Sequence, residues 1–189
     1  MNSLSPLVRL AIFLGSWLVW FSALLVLRNH RRENAVLVDP KGRWGIALQM
    51  AGYVVACTHG PELWSSDLEL WRALAGIVIA LLSIAIFWSA VARLGKQWRF
   101  DAALNQDHEL VQGGAYRIVR HPIYASMFGM LLADICWVGT LPGWPIAVVL
   151  FVAGTEIRVR AEDGLLRERF GEKFLAWQKT KPAYVPFVR

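Results

Sequence analysis

The chain reads as an all-α polytopic membrane helix bundle, with about five transmembrane helices, a polar cytoplasmic loop and a charged C-terminal helix. Three observations carry that reading. Of the 189 residues, 56% are hydrophobic and the mean hydropathy is +0.41, beyond what soluble domains show. The apolar residues are gathered into long runs, while Lys and Arg fall in the connections between them. Those connections alternate between basic and non-basic along the chain.

The first apolar run, Leu7 to Leu27, is long enough to cross roughly 30 Å of hydrocarbon as a helix. Arg28, His30, Arg31 and Arg32 follow it. The run is too long for a cleaved signal peptide, and no small-residue cleavage pattern precedes the basic cluster, so the helix is expected to be retained. The second run, Trp44 to Thr58, is short and carries Gly45, Gln49 and Gly52. It fits a tilted helix, a locally thinned bilayer, or close pairing with the first helix through its small residues. The connection from His59 to Leu70 holds Glu62, Asp67 and Glu69 without Lys or Arg, and is the one acidic loop.

Run three, Trp71 to Leu94, is the strongest span, with Trp71 and Trp88 near its ends and Arg93, Lys96 and Arg99 marking its exit. Run four starts at Pro122 and ends near Thr140, where Leu141-Pro142-Gly143 predicts a tight turn. Run five begins at Trp144 and turns charged at Glu156 without any breaker. Its helix is therefore expected to leave the membrane and continue at least to Phe170, with Gly164 as a point where it can kink. The charge alternation places the N-terminus outside and the C-terminus in the cytoplasm.

One domain, 1–189, accounts for the whole length, with the N-terminal helices in 1–60 and a polar region in 94–189. No linker, repeat or low-complexity tract divides it. The net charge of +6 is spread over the connections rather than along one face, which argues for anionic lipid and against nucleic acid. Cys57 and Cys136 lie inside apolar runs and read as small hydrophobes. The sequence holds no metal-ligand spacing, and no GxGxxG after a strand, P-loop, HExxH or GxSxG.

Chemistry is concentrated in the stretch His108 to Tyr124, HELVQGGAYRIVRHPIY. Gly113-Gly114 is expected to let the backbone approach a ligand. Pro122 pushes His121 out of helical geometry and suits the first turn of a new helix, whose start can hold an anion. On the far side of the helical hairpin, Arg158 and Glu162 stand four residues apart, on one helical face at the membrane interface. Each residue alone has an ordinary reading. His121 suits a structural hydrogen bond, Tyr116 and Tyr124 suit interfacial anchors, and Arg117 and Arg120 suit topology determinants. Asp134, a carboxyl inside run four, stays unassigned.

Taken together, HELVQGGAYRIVRHPIY, the hairpin, RVRAEDGLLRERFGEKFLAW and the closing YVPF resemble the isoprenylcysteine carboxyl methyltransferase family, in a wider group with the phospholipid N-methyltransferases. The resemblance runs from about Leu94 to Phe187. It implies S-adenosyl-L-methionine as cofactor, with 94–189 as the cofactor and catalytic region. Carried over by position, the cofactor-binding residues are His108, Glu109, Leu110, Val111, Tyr116, His121, Pro122, Ile123, Tyr124 and Glu162. Arg158 is the substrate-binding arginine, and Arg158 and Glu162 form the catalytic pair. The partner implied is a lipophilic or prenylated acceptor from the bilayer. Ala125-Ser126 departs from the small residue and glycine common there, and Phe174 and Trp177 replace frequent tyrosines.

Methyl transfer from a sulfonium to a carboxylate needs no metal and little acid-base help, so positioning two substrates is the main task. The other readings are a phospholipid or amine N-methyltransferase, an NADPH-dependent membrane reductase, since sterol reductases look similar around RHPxY, and a non-catalytic membrane scaffold.

Overall fold

The computed structural model describes residues 3–26, 35–57, 68–99, 101–105, 107–138 and 143–185. Six α-helices carry most of them: α1 (Pro6–Val26), α2 (Gly42–Cys57), α3 (Leu70–Leu94), α4 (Pro122–Val138), α5 (Gly143–Phe170) and α6 (Glu172–Thr180). Single 3-10 turns occupy Gly95–Gln97 and Gly114–Arg117. The basic cluster at Arg28, His30, Arg31 and Arg32, the acidic loop across 59–67, the turn at Leu141-Pro142 and the closing Pro186-Phe187 lie outside the described residues.

Two short antiparallel pairings qualify the all-α expectation. β1 (Ser3–Leu4) pairs with β3 (Leu68–Glu69), and β2 (Ala35–Val38) pairs with β4 (Ala103–Asn105). Ladders of two to four residues are too short to leave a period in the sequence.

α1 and the segment Leu70–Gln97 are each long and apolar enough to cross a membrane, and α4 is a shorter apolar helix. Their outward faces agree with that composition. Leu18 and Leu25 on α1 are 71% and 73% exposed, and Val78, Leu81 and Leu82 on α3 are exposed too. Such a continuous apolar surface is costly in water and suits hydrocarbon.

The inward faces pack through small residues. On α3, Gly76 lies against the indole of Trp137, whose Nε1 donates to the Ala73 carbonyl at 3.3 Å. Ser126 of α4 donates to the Ser83 carbonyl of α3 at 2.8 Å and accepts from Trp20 of α1 at 2.8 Å. Trp20 stacks on Phe87 with ring centroids 3.7 Å apart. Ser126 thus binds three helices at one oxygen, satisfying polar groups that hydrocarbon would leave unpaired.

α2 does not use its small residues against α1. They face α5. A Cβ on Gly154 would sit 2.5 Å from the Gly45 carbonyl oxygen and 2.8 Å from the Gln49 nitrogen, and a Cβ on Gly52 would sit 2.8 Å from the Ala147 carbonyl oxygen. The two backbones therefore meet directly, as small residues permit. Gln49 Nε2 donates to Thr155 Oγ1 across this contact at 2.8 Å. α5 continues unbroken through Gly164 to Phe170, as its lack of a breaker predicted.

Candidate functional site

The site begins where Pro122 starts α4. His121 before it is non-helical and buried, and its backbone N–H donates to the Ala183 carbonyl at 2.7 Å. Arg120 does the same to Pro182 at 2.9 Å, so the C-terminal segment is strapped across the start of α4. The Tyr124 and Ala125 N–H groups donate to the His121 carbonyl, at 3.1 and 3.2 Å. Those two donors are therefore used within the chain, leaving a poorer anion cradle than the sequence suggested.

The His121 imidazole lies between two carboxylates of α5. Nδ1 is 3.2 Å from Glu162 Oε2, and Nε2 is 2.9 Å from Asp163 Oδ1. Burial alone would lower the basicity of His121, but hydrogen bonds to Asp163 and Glu162 outweigh it and raise its pKa to about 9. The ring is then an imidazolium donating from both nitrogens. Burial pulls Glu162 upward, yet the His121 hydrogen bond, with the charges of His121 and Arg158, holds it below the usual carboxylate range. Asp163 is likewise held low against its burial, by His121, Arg120 and Gln178. Arg120 Nη2 contacts Asp163 Oδ2 at 3.0 Å, and Arg120 Nη1 donates to the Lys181 carbonyl at 2.6 Å, which ties the region after α6 to α5.

Tyr124 stands between Glu162 and Arg158. Its hydroxyl donates to Glu162 Oε1, and the Arg158 guanidinium lies 4.8 Å from its ring centroid. Arg158 Nη1 also donates to Gln49 Oε1 at 3.1 Å, so the α2–α5 glycine contact positions this arginine. Arg158 and Glu162 are coupled through Tyr124 and through charge, which the helical spacing alone did not reveal.

These groups line an open cleft. Ten of the expected residues converge on it: His108, Glu109, Leu110, Val111, Tyr116, His121, Ile123, Tyr124, Arg158 and Glu162. Pro122 does not. It faces a separate apolar recess beside Ile118, Val119 and Tyr184, and serves the site by starting the helix. Gly113-Gly114 also turns away from the expected role. Gly114 adopts φ +60°, and a Cβ there would lie 2.9 Å from Arg93 Cγ and 3.0 Å from Ser89 Oγ. The glycines seat the loop on α3, where the Ala115 N–H donates to Ser89 Oγ at 3.2 Å.

Within the cleft, burial and then the charge of Arg169 push His108 down to about 4, so its ring is neutral at neutral pH. Its Nδ1 is buried and has no hydrogen-bond partner among the described residues. Burial, reinforced by the Glu162 charge, pushes the Tyr116 phenol up, so it stays a donor.

Sequence reasoning missed Gln97, Arg99, Asp101 and Trp177, which line the cleft, and Gln49 and Asp163, which hold its charged groups. Asp163 had one available signal, an acidic residue directly after Glu162. Gln49 had another, a lone amide in an apolar run.

A second, apolar chamber opens between α1, α2 and α4. Trp17, Trp20, Phe21, Met50 and Met127 contribute to its wall. Arg99, Ile123 and Arg158 line both cavities, so the two meet at Arg158.

Comparison with known proteins points the same way. The model of the isoprenylcysteine carboxyl methyltransferase (ICMT) family matches residues 75–168. The protein-S-isoprenylcysteine O-methyltransferase B of Arabidopsis thaliana is 24% identical over 158 residues, covering 82% of this chain and 78% of its own. The protein-S-isoprenylcysteine O-methyltransferases of Xenopus laevis and Schizosaccharomyces pombe are each 26% identical, over 63% and 53% of this chain. The chain spans 42% and 43% of the length of those two relatives.

Proposed function

Over residues 75–168 the chain belongs to the isoprenylcysteine carboxyl methyltransferase family, and from that premise we propose an integral membrane methyltransferase that uses S-adenosyl-L-methionine to methylate a carboxylate on a lipophilic, isoprenylcysteine-like acceptor. The observation that carries this reading is the meeting of a polar cleft and an apolar chamber at Arg158. A charged donor from water and a greasy acceptor from the bilayer need two such compartments with one shared wall.

The cleft fits the cofactor on its own chemistry. Glu162, kept ionised by His121, suits an ammonium group. His108 Nδ1, buried and without a partner among the described residues, offers a polar contact for a heterocycle or a carboxylate. His121 and Tyr124 hold Glu162, and Tyr116 lines the wall beside them. When bound, the cofactor supplies an electrophilic methyl carbon.

Arg158 holds the acceptor's carboxylate at the junction by its planar fork, and Gln49 orients that fork from α2. The chamber takes the acceptor's hydrocarbon. The carboxylate is already nucleophilic, so the residues' task is orientation and exclusion of water. An amine acceptor needs a deprotonated nitrogen, for which a fixed guanidinium is a poor neighbour.

In this reading α1 to α5 all cross the bilayer, with the N-terminus outside and the C-terminus, cleft and α6 on the cytoplasmic side. The apolar outward faces of α1 and α3 and the basic connections support it. On a background lacking Cys57 and Cys136, Glu69→Cys should react with an impermeant thiol reagent from outside, and Gln112→Cys only after permeabilisation. Labelling of both from one side would remove a span.

The cofactor assignment is tested by thermal unfolding of the detergent-solubilised chain. S-adenosylhomocysteine should raise the unfolding temperature and NADPH should not. The opposite result makes the chain a nicotinamide-dependent reductase, and no shift with either favours a scaffold.

A further inference from the structure

Asp134 is the one carboxyl in the wall of the apolar chamber, among the described residues. It is 1% exposed. Its Oδ1 accepts a hydrogen bond from Trp17 Nε1 at 3.2 Å, whereas its Oδ2 is buried with no hydrogen-bond partner among the described residues. A carboxyl oxygen left unpaired inside a membrane protein is costly, and an aliphatic side chain of similar size would avoid that cost.

Its placement relates it to the acceptor. Ile123, Met127 and Asp134 share one face of α4 and all line the chamber. Ile123 also borders the cleft at the Arg158 junction. Asp134 follows it by eleven residues, roughly 16 Å of helical rise. The chamber is therefore bounded by a cation at the reaction end and by a carboxyl oxygen, unpaired among the described residues, well along its length.

Resting on the acceptor reading above, we propose that Asp134 reads a polar, hydrogen-bonding group on the acceptor's hydrophobic chain. The preferred substrate class is then a lipid carboxylate with a hydroxyl or amine toward the far end of its hydrocarbon chain, rather than a plain prenyl hydrocarbon. Trp17 holds the Asp134 carboxyl in place through Oδ1, leaving Oδ2 for the ligand. This selectivity has an unusual sign. A chamber that was merely apolar would reject a hydroxyl, because the hydroxyl loses its water and gains nothing.

The test compares binding of two probes by calorimetry, using the full chain in detergent: an S-farnesyl cysteine, and the same molecule with a hydroxyl on the last carbon of its chain. The wild type should bind the hydroxylated probe about tenfold more tightly. Asp134→Leu should reverse the preference while binding the hydrocarbon probe at least as well. Equal binding of both probes by the wild type, or a preference that survives in Asp134→Leu, overturns the proposal and leaves the methyltransferase reading standing. The wild-type comparison decides the matter even where the variant fails to fold. If neither probe binds, the chamber is not an acceptor site and both readings fall.

Discussion

His121 and Asp163 face each other across the start of α4, Nε2 to Oδ1 at 2.9 Å, with Glu162 on the other ring nitrogen at 3.2 Å. The pair joins the RHP segment to α5 and fixes Glu162 in the cleft wall. Its electrostatics set a pH dependence. The pKa of His121 is raised from 6.5 to about 9, so the stability it contributes is fully present below 6.5 and is lost as the pH rises through about 9. Glu162 and Asp163 are held low, so their contributions are present above the usual carboxylate range and are lost as the pH falls below it. The melting temperature in detergent should therefore be highest between about pH 5 and 6.5 and decline from there through about pH 9. His121→Gln should be less stable and lack the alkaline decline. A wild-type melting temperature that is flat to pH 10 would show that the imidazolium does not bridge the carboxylates.

Arg158 and Glu162 should separate in their effects. Arg158→Lys keeps the charge but not the bidentate fork, so S-adenosylhomocysteine affinity should stay within a few-fold while methyl transfer falls on the order of a hundredfold. Glu162→Gln should instead weaken S-adenosylhomocysteine binding, by roughly 1.5 to 3 kcal/mol, because a charge-assisted contact is lost. Calorimetry and turnover on the same preparations check both. Wild-type turnover by Arg158→Lys would take Arg158 out of the reaction, and the carboxylate acceptor with it.

Gly154 and Gly164 lie ten residues apart on α5 and should respond oppositely to alanine. At Gly154 the new Cβ meets the Gly45 carbonyl oxygen and the Gln49 nitrogen, both backbone atoms that cannot step aside. Gly154→Ala should cost about 1 to 3 kcal/mol and should also lower turnover, since Gln49 holds Arg158. At Gly164 a Cβ meets nothing within 4 Å, so Gly164→Ala should stabilise the helix by roughly 0.5 to 1 kcal/mol. Thermal unfolding of the two variants side by side measures the difference, and a Gly154→Ala chain as stable as wild type would contradict the close α2–α5 contact.

Much of this architecture was legible in the residues. The runs at Leu7, Trp71 and Pro122 locate α1, α3 and α4 because hydropathy accumulates over many residues, and Pro122 marks a helix start by its fixed φ. The cleft residues were found because RHPxY and the following glutamate sit in a recognisable order. Partner choice was less legible. Gly45 and Gly52 announce a close contact but do not say with which helix, and only the fold directs them to α5. Gly113-Gly114 announces a close approach in the same way, and it proved to be to Arg93 and Ser89. Gln49, Arg99 and Asp163 were missed because their significance lies in contacts between residues far apart in the sequence. The short β-pairings were missed because they are too brief to show a period.

The central claim is a methyl group delivered to a carboxylate where the cleft and the chamber meet at Arg158. Its most direct test is to incubate the membrane-embedded chain with methyl-labelled S-adenosyl-L-methionine and an S-farnesyl cysteine acceptor, and to identify the bond that holds the label in the product. The label should appear in a base-labile methyl ester on the acceptor, with Arg158→Lys forming it on the order of a hundredfold more slowly. Label found in a base-stable bond to nitrogen, or no transfer from a cofactor that demonstrably binds, would contradict it.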